Sequence, residues 1–362
     1  MIEKKIIFPF YAKATILLVG LFALITMFYI AQNIIVPLIF AIIIAIVLLP
    51  IVDFFVRRKI NRVIAILITL FITFLVITGF CMLIFSQASL FSESWPILVN
   101  KLTTLLNETI TNASKYLGIN PARIHEWIIK TKGELVNTSS AAIGRTLINL
   151  GSGLVVLFLV PTYVFIILYY KNLLLDFIHK VFVSSNQKQI SEIVLQIKNV
   201  IQRYLIGLLI EFVIVSILHV TALLMLGIQY AILLGILGAL LNVIPYIGGI
   251  VGVSLPVMVA LVTKSTPWYA LYVMIAYYVI QLIDNNYIVP VIVSSKVKIN
   301  ALFSIIVVFV GNALWGIPGM FLSLPLLAII KVIFDHIEPL KPWGFLLGDT
   351  MPPLITLKKL KL

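Results

Sequence analysis

The sequence has only one cysteine and few charged residues, and both shortages restrict what the protein can be. Charged residues make up 11% of the chain, whereas a soluble protein carries about 25%. The one cysteine, Cys81, lies inside an apolar stretch, so an intramolecular disulfide is excluded. The composition therefore argues against a soluble globular protein.

The chain also lacks the motifs of common enzyme chemistry. No Gly-x-x-x-x-Gly-Lys-Ser/Thr loop is present, so the chain has no phosphate-binding loop for coupling to ATP. Ser152 lacks the Gly-x-Ser-x-Gly elbow of hydrolases. The histidines and the cysteine are scattered without metal-ligand spacing: His125, His179, His219 and His336. We therefore expect no enzyme activity, no cofactor and no metal site.

What the chain has in abundance is apolar sequence. Hydrophobic residues make up 62% of the chain, and its mean hydropathy is +1.17. A run of about 18 apolar residues is long enough to span a bilayer. Six such runs occur: Ala14–Ala31, Ile34–Val52, Val63–Phe85, Gly153–Tyr170, Leu205–Leu226 and Trp268–Val289. The pattern predicts an all-α, polytopic membrane protein with about six full spans.

The net charge of +13 is explained by orientation in the membrane. The basic residues lie at the ends of the apolar runs, where Lys and Arg mark the cytoplasmic side. The densest cluster contains Arg57, Arg58, Lys59 and Arg62, and it predicts cytoplasmic N- and C-termini. We expect membrane lipid as a partner and no nucleic acid, because no basic patch is interleaved with aromatic residues.

Composition divides the chain into five parts. The predicted parts are a three-span unit (residues 1–85), an amphipathic helical domain outside the cytoplasm (86–150), the fourth span with a cytoplasmic amphipathic linker (151–204), a core (205–335) and a cytoplasmic tail (336–362). In the linker, a separate interfacial helix is expected at about residues 186–203.

Two apolar segments of the core, residues 228–263 and 300–331, are interrupted near their middle. Hydrocarbon tolerates a broken backbone only where the freed polar groups meet protein or a water-filled cavity, and paired breaks indicate a transport site. Residues suited to shape these breaks, because proline removes a donor and glycine accepts unusual torsions, are Pro245, Gly248, Gly249, Gly316, Pro318 and Gly319.

Each broken segment is either a re-entrant hairpin or one long crossing. Hairpins place Lys296 and Lys298 in the cytoplasm, and crossings place only Lys264 there, so charge favours hairpins by two lysines to one. The hairpin version also implies an inverted repeat. A short echo between Gly249–Pro256 and Gly316–Pro325 is consistent with that repeat.

Three ionisable residues lie within predicted spans, where a charge costs about 2.5–3.5 kcal/mol. Asp284 is predicted either to exchange a proton for a cation or to serve a structural role at a helix end. Glu211 is a second candidate for ion coupling, and His219 reads more readily as a histidine that hydrogen-bonds between helices. Amide side chains that could bind an ion or solute, or cap broken helices, are Gln281, Asn285, Asn286, Asn242 and Asn312.

Three stretches in this region, residues 242–248, 281–290 and 311–319, resemble the autoinducer-2 exporter family of bacterial inner-membrane proteins. Their sequences are Asn-Val-Ile-Pro-Tyr-Ile-Gly, Gln-Leu-Ile-Asp-Asn-Asn-Tyr-Ile-Val-Pro and Gly-Asn-Ala-Leu-Trp-Gly-Ile-Pro-Gly. The order of spans is also similar. The chain departs from many relatives at Gly249, where they have proline, and at Asp284, where they have glutamate. The resemblance implies solute export in some members and sodium/proton exchange in others.

These observations leave three functional hypotheses. The favoured one is an ion-coupled secondary transporter in the bacterial inner membrane that exports a small polar solute such as autoinducer-2. The second is a sodium/proton antiporter that uses Asp284 and carries no organic solute. The third is a non-transporting scaffold whose residues 86–150 bind a partner. Small residues at helical spacing, such as Gly235 and Ala239, permit a homo-oligomer.

Overall fold

The computed structural model describes residues 9–117, 158–181, 187–244, 248–293 and 299–349, and these form helices joined by short turns. Within these ranges no strand forms, apart from one isolated bridge between Ile299 and Gly348. The all-α prediction is therefore confirmed. The α-helices are α1 (Phe10–Ile30), α2 (Gln32–Arg57), α3 (Arg62–Leu117), α4 (Phe158–Tyr169), α5 (Lys171–Val181), α6 (Gln187–Met225), α7 (Ala231–Asn242), α8 (Gly248–Thr263), α9 (Trp268–Ile283), α10 (Ala301–His336) and α11 (Lys341–Leu347).

Each of the six predicted spans overlaps one of these helices, although residues 153–157 of the fourth lie outside the described ranges. In the described residues four helices, α2, α3, α6 and α10, are long and apolar enough to cross a membrane. A fifth crossing is possible if α4 and α5, which meet at 67°, form one bent span. The α1 helix and the α9 helix are shorter, and α9 continues directly into a π-helical segment, Asp284–Val293.

Two helices extend further than the sequence pattern suggested. The interfacial helix expected at about residues 186–203 is the first half of α6, a single helix of 39 residues. Similarly, α3 runs for 56 residues without a break, so it includes the beginning of the predicted 86–150 domain. Residues 118–150 of that domain lie outside the described ranges. At 1.5 Å per residue, α3 is about 84 Å long, far more than a bilayer requires.

The N-terminal helices pack around small residues. Ala41 and Ala45 of α2 are buried against Ile66 of α3 and Val164 of α4. The Arg62 guanidinium donates a hydrogen bond of 2.7 Å to the carbonyl oxygen of Leu168 and ties the start of α3 to the end of α4. These contacts assemble the unit that precedes the core.

The first broken segment is a helical hairpin. We call residues 231–263 hairpin 1, with α7 and α8 as its arms and residues 243–247 as its tip. A Cβ atom built at Gly252 of α8 would lie 3.1 Å from the carbonyl oxygen of Gly238 in α7, so the arms touch backbone to backbone. The predicted break is thus present, and the chain reverses there. Pro245, which was expected to shape it, lies outside the described residues.

The second broken segment also folds back on itself. We call residues 301–336 hairpin 2, and its arms are residues 301–315 and 317–336 of α10. Gly316 has φ 62° and ψ −143°, torsions that a residue with a Cβ rarely adopts. A Cβ at Gly311 would overlap the carbonyl oxygen of Gly319. Eight residues of straight helix would separate these two by about 12 Å, so their contact requires a reversal.

Both hairpins are packed against the long helix α6. Leu223 of α6 is buried with Ala231 and Leu234 of hairpin 1 and with Val273 of α9. Earlier in the same helix, Val215 is buried with Ala239, Ile280 and Ile288. The α6 helix, hairpin 1 and α9 with its π-helical segment therefore enclose one region, where the ionisable residues of the core meet.

Candidate functional site

Asp284 is buried at the junction between α9 and the π-helical segment, with 1% of its surface exposed. Its Oδ2 accepts a hydrogen bond of 2.8 Å from Nδ2 of Asn242 and a longer one, 3.5 Å, from Nε2 of Gln281. Its Oδ1 has no hydrogen-bond partner within the described part of the chain. This buried carboxylate therefore has one oxygen, Oδ1, available to bind a proton, an ion or another ligand.

The π-helical segment that carries Asp284 also contains a proline. Pro290 lies inside the segment and has no N–H to donate to a carbonyl one turn earlier, so regular α-helical bonding is interrupted there. π-helical turns are rare and often occur at functional sites, where they reorient a side chain. Here the change of helix type begins at the carboxylate itself.

The C-terminal end of α7, in hairpin 1, supplies the partner of Asp284. Asn242 is the last residue of α7, and it points its amide at the carboxylate. On the other arm, a Cβ atom at Gly249 would lie 2.8 Å from Oε1 of Gln281, so this glycine lets α9 approach the tip closely. The two predicted break glycines of this hairpin, Gly248 and Gly249, both line the same cavity as Asp284.

That cavity has a volume of about 730 Å³ and contains a second carboxylate. Glu211 of α6 is 6% exposed and faces the same space. Among the described residues that line the cavity there is no Lys or Arg, and the ion pairs of the described chain lie elsewhere. Buried charges are normally paired, so these two carboxylates need a proton or a bound cation.

The predicted amides divide into two groups. Gln281 and Asn285 line the cavity, and Nε2 of Gln281 donates to Oδ1 of Asn285 at 3.3 Å. Asn286 instead donates to the carbonyl oxygen of Leu282 at 2.7 Å and does not line the cavity. Asn312 is exposed on hairpin 2 and is likewise absent from the lining. The break residues of hairpin 2, Gly316, Pro318 and Gly319, are also absent from the lining, although Ser304 and Leu324 in the arms of that hairpin belong to it.

His219 and Tyr277 also belong to the polar lining of the cavity, together with Tyr204, Tyr278 and Ser304. The rings of His219 and Tyr277 stack with centroids 4.0 Å apart and an angle of 14° between planes. The sequence interpretation gave His219 a structural role and did not single out Tyr277. Helical spacing could have found both, because Tyr277 lies seven residues before Asp284 and His219 eight residues after Glu211, on related helix faces.

Helical hairpins that enclose buried carboxylates in an apolar chain define a polytopic membrane transport protein. A model of the AI-2E transporter family matches residues 17–338, and the chain belongs to that family. Among relatives, YrrI of Bacillus subtilis (strain 168) is 24% identical over 310 residues, which cover 84% of this chain and 87% of YrrI. YhhT of Escherichia coli (strain K12) is 24% identical over 94% of this chain and 93% of its own length. PerM of the same strain is 27% identical over 65% of this chain and 69% of its own length. The first two are provisionally named transport proteins and the third a permease.

Proposed function

We propose that the protein is an ion-coupled secondary transporter that exports a small polar solute, of the autoinducer-2 type, across the bacterial inner membrane. The observation that carries the proposal is the pair of buried carboxylates, Asp284 and Glu211, in one cavity without a basic partner among the described residues. Such a pair is neutralised by protons or by cations, and exchange between the two couples an ion gradient to movement of the protein.

The basic clusters give the proposed orientation. Arg57 and Arg58 end α2, and Lys358, Lys359 and Lys361 lie close to the C-terminus of the sequence. Placing these groups in the cytoplasm puts both termini on that side. Hairpin 1 then enters the membrane from the outside and hairpin 2 from the cytoplasm. A solute that leaves the cell would pass between them, beside Asp284.

A sodium/proton antiporter without an organic solute is the second candidate. Nε2 of Gln281 donates to both Oδ2 of Asp284 and Oδ1 of Asn285, so the amide oxygen of Asn285 lies near the carboxylate. A neutral oxygen near a carboxylate is a suitable ligand for a hard cation. Both candidates use the same carboxylates, so they differ in whether a solute also moves.

The test is proton flux in proteoliposomes after a sodium pulse, together with uptake of autoinducer-2 into the same vesicles. We expect Asp284→Asn to abolish both signals, because the amide keeps the shape of the side chain and still accepts from Asn242 but carries no charge. Asp176→Asn is the matched control, since Asp176 is exposed on α5 and outside the cavity. Flux at the wild-type level in Asp284→Asn would contradict both candidates.

A further inference from the structure

The cavity has a second polar end, formed by His219 of α6 and Tyr277 of α9. Both side chains are more than nine-tenths buried, at 4% and 6% exposed. Glu211 precedes His219 by eight residues, which corresponds to about 12 Å along the helix. The aromatic pair and Glu211 therefore lie at separate levels of one cavity.

One polar atom of each side chain in this aromatic pair lacks a partner in the described chain. Neither Nδ1 of His219 nor the hydroxyl of Tyr277 makes a hydrogen bond within the described residues. Buried polar groups are paired in the great majority of cases, so an exception calls for an explanation. Here both atoms belong to side chains that line the cavity, where an entering molecule could reach them.

Both unpaired atoms converge on one glycine. A Cβ atom at Gly238 would lie 3.1 Å from the Tyr277 hydroxyl and 3.2 Å from Nδ1 of His219. On its other side, Gly238 contacts Gly252 of α8 backbone to backbone. A methyl group at residue 238 would therefore be in tight contact with both polar atoms. Gly238, His219 and Tyr277 all line the cavity, so they border the same open space.

The chemistry of this space favours an uncharged group. A phenol donates and accepts a hydrogen bond, and each nitrogen of a neutral imidazole does one or the other. The two rings stack face to face, and this stacking leaves Nδ1 of His219 and the Tyr277 hydroxyl uncovered at the ring edges. An anionic group would find no Lys or Arg among the described lining residues and would share the cavity with two carboxylates.

We infer that His219, Tyr277 and the space over Gly238 form a binding subsite for a hydroxyl or carbonyl group of an uncharged solute. The inference rests on the proposed transport function and assigns the ion and the solute to different ends of the cavity. Asp284 and Glu211 hold the proton or cation, whereas the aromatic pair holds the solute by hydrogen bonds. Hairpin 1 borders both ends of the cavity, because its Asn242 contacts Asp284 and its Gly238 lies next to the aromatic pair.

The experiment measures counterflow of three radiolabelled four-carbon probes in proteoliposomes: erythritol, which is uncharged, erythronate, which is anionic, and putrescine, which is cationic. We expect saturable flux of erythritol alone. Tyr277→Phe removes one unpaired hydroxyl and should raise the KM for erythritol roughly two- to tenfold, the range for a single neutral hydrogen bond. Gly238→Ala should reduce the flux further, because the methyl group occupies the space in front of both polar atoms.

Two control variants separate binding from stability. Ser216 of α6 also has a buried hydroxyl without a partner in the described chain, but it does not line the cavity, so Ser216→Ala should leave the KM unchanged. Gly79 of α3 has open space around it, so Gly79→Ala matches the added methyl group. Tyr277→Phe should also keep the wild-type Tm, since the hydroxyl makes no hydrogen bond within the described residues.

Three outcomes would overturn the subsite. They are no saturable flux of erythritol, a KM in Tyr277→Phe equal to that of Ser216→Ala, or transport of putrescine or erythronate in preference to erythritol. The proton signal after a sodium pulse is measured separately in the same vesicles. A normal proton signal with no flux of erythritol would reject the solute subsite and leave the carboxylates as an ion-exchange site.

Discussion

The two hairpins have similar sequences at their breaks but different surroundings. In hairpin 1, the end of α7 and the start of α8 line the cavity, and Asn242 binds the buried Asp284. The tip of hairpin 2 lies against α1. There Nε1 of Trp315 donates a hydrogen bond of 3.1 Å to the carbonyl oxygen of Phe28, and the ring centroids of Trp315 and Phe28 are 6.4 Å apart. The arms of both hairpins are in close contact. Hairpin 1 also supplies Asn242 to the buried carboxylate, whereas hairpin 2 contributes only Ser304 and Leu324 of its arms to the described cavity lining and holds Trp315 against α1.

The largest effect is expected where the arms of hairpin 2 touch. Gly319→Val should prevent correct folding, because even a Cβ at this position overlaps the carbonyl oxygen of Gly311 and the arms would have to separate. Overpacking of this kind costs about 3 kcal/mol or more when backbone must move. The measurement is the yield of monodisperse protein in detergent and its Tm.

Gly20→Val in α1 is the control for that change, since nothing lies within 4 Å of a Cβ there. It should express and melt like the wild type. A stable Gly319→Val protein would mean that the hairpin arms do not approach each other as the structure has them.

The second prediction concerns Glu211, the other carboxylate of the cavity. Glu211→Gln should lower proton flux after a sodium pulse roughly tenfold or more, because one of the two groups that bind a proton or cation is lost, and removing a charged partner in a buried site is worth about 1.5–3 kcal/mol. The protein should remain folded, since no ion pair to Glu211 is broken in the described chain.

Ser323→Ala tests whether this loss is specific to the cavity. Ser323 is 3% exposed and is a buried polar residue of hairpin 2, but it bonds to the carbonyl oxygen of Met320 within its own helix. Its removal should not change flux. Equal losses in both variants would indicate a general sensitivity of the core instead of a carboxylate site.

The third prediction separates the two asparagines that the sequence treats alike. Asn242→Ala removes the 2.8 Å hydrogen bond to Asp284 and should weaken the apparent affinity for sodium by about tenfold, as expected for a bond to a charged group. Asn312→Ala, at the corresponding break of hairpin 2, should leave that affinity unchanged because its side chain is exposed outside the cavity. Sodium titrations of proton flux give both values. A larger effect at Asn312 would reverse the roles assigned to the hairpins.

These asparagines also show how far sequence reasoning reaches. Glycine and proline identify both breaks, because those residue types change local torsions whatever surrounds them. The sequence does not say which tip meets Asp284, since that depends on how α6 and α9 pack, and such contacts join residues distant in the chain. The stacking of His219 on Tyr277, 58 residues apart, was missed for the same reason.

Helix lengths show the converse limit. The polar first half of α6 suggested an interfacial helix separate from the span, yet the two form one helix of 39 residues. A change from amphipathic to apolar composition marks a change of environment, and it does not by itself end a helix. Because no proline or glycine separates the two halves before Gly207, the backbone continues without a break.

The smallest effect is expected at the contact between hairpin 2 and α1. Trp315→Phe keeps an aromatic ring beside Phe28 but removes the indole N–H, and with it the hydrogen bond to the Phe28 carbonyl. The expected cost is about 1 kcal/mol of stability, seen as a small decrease in Tm, while proton flux and sodium affinity stay at wild-type values. If hairpin 2 anchors the core to α1 and takes no part in ion binding, this variant must melt earlier and transport normally. A flux that falls while Tm is unchanged would show instead that the tip of hairpin 2 moves during transport, and the contrast between an anchored and a functional hairpin would fail.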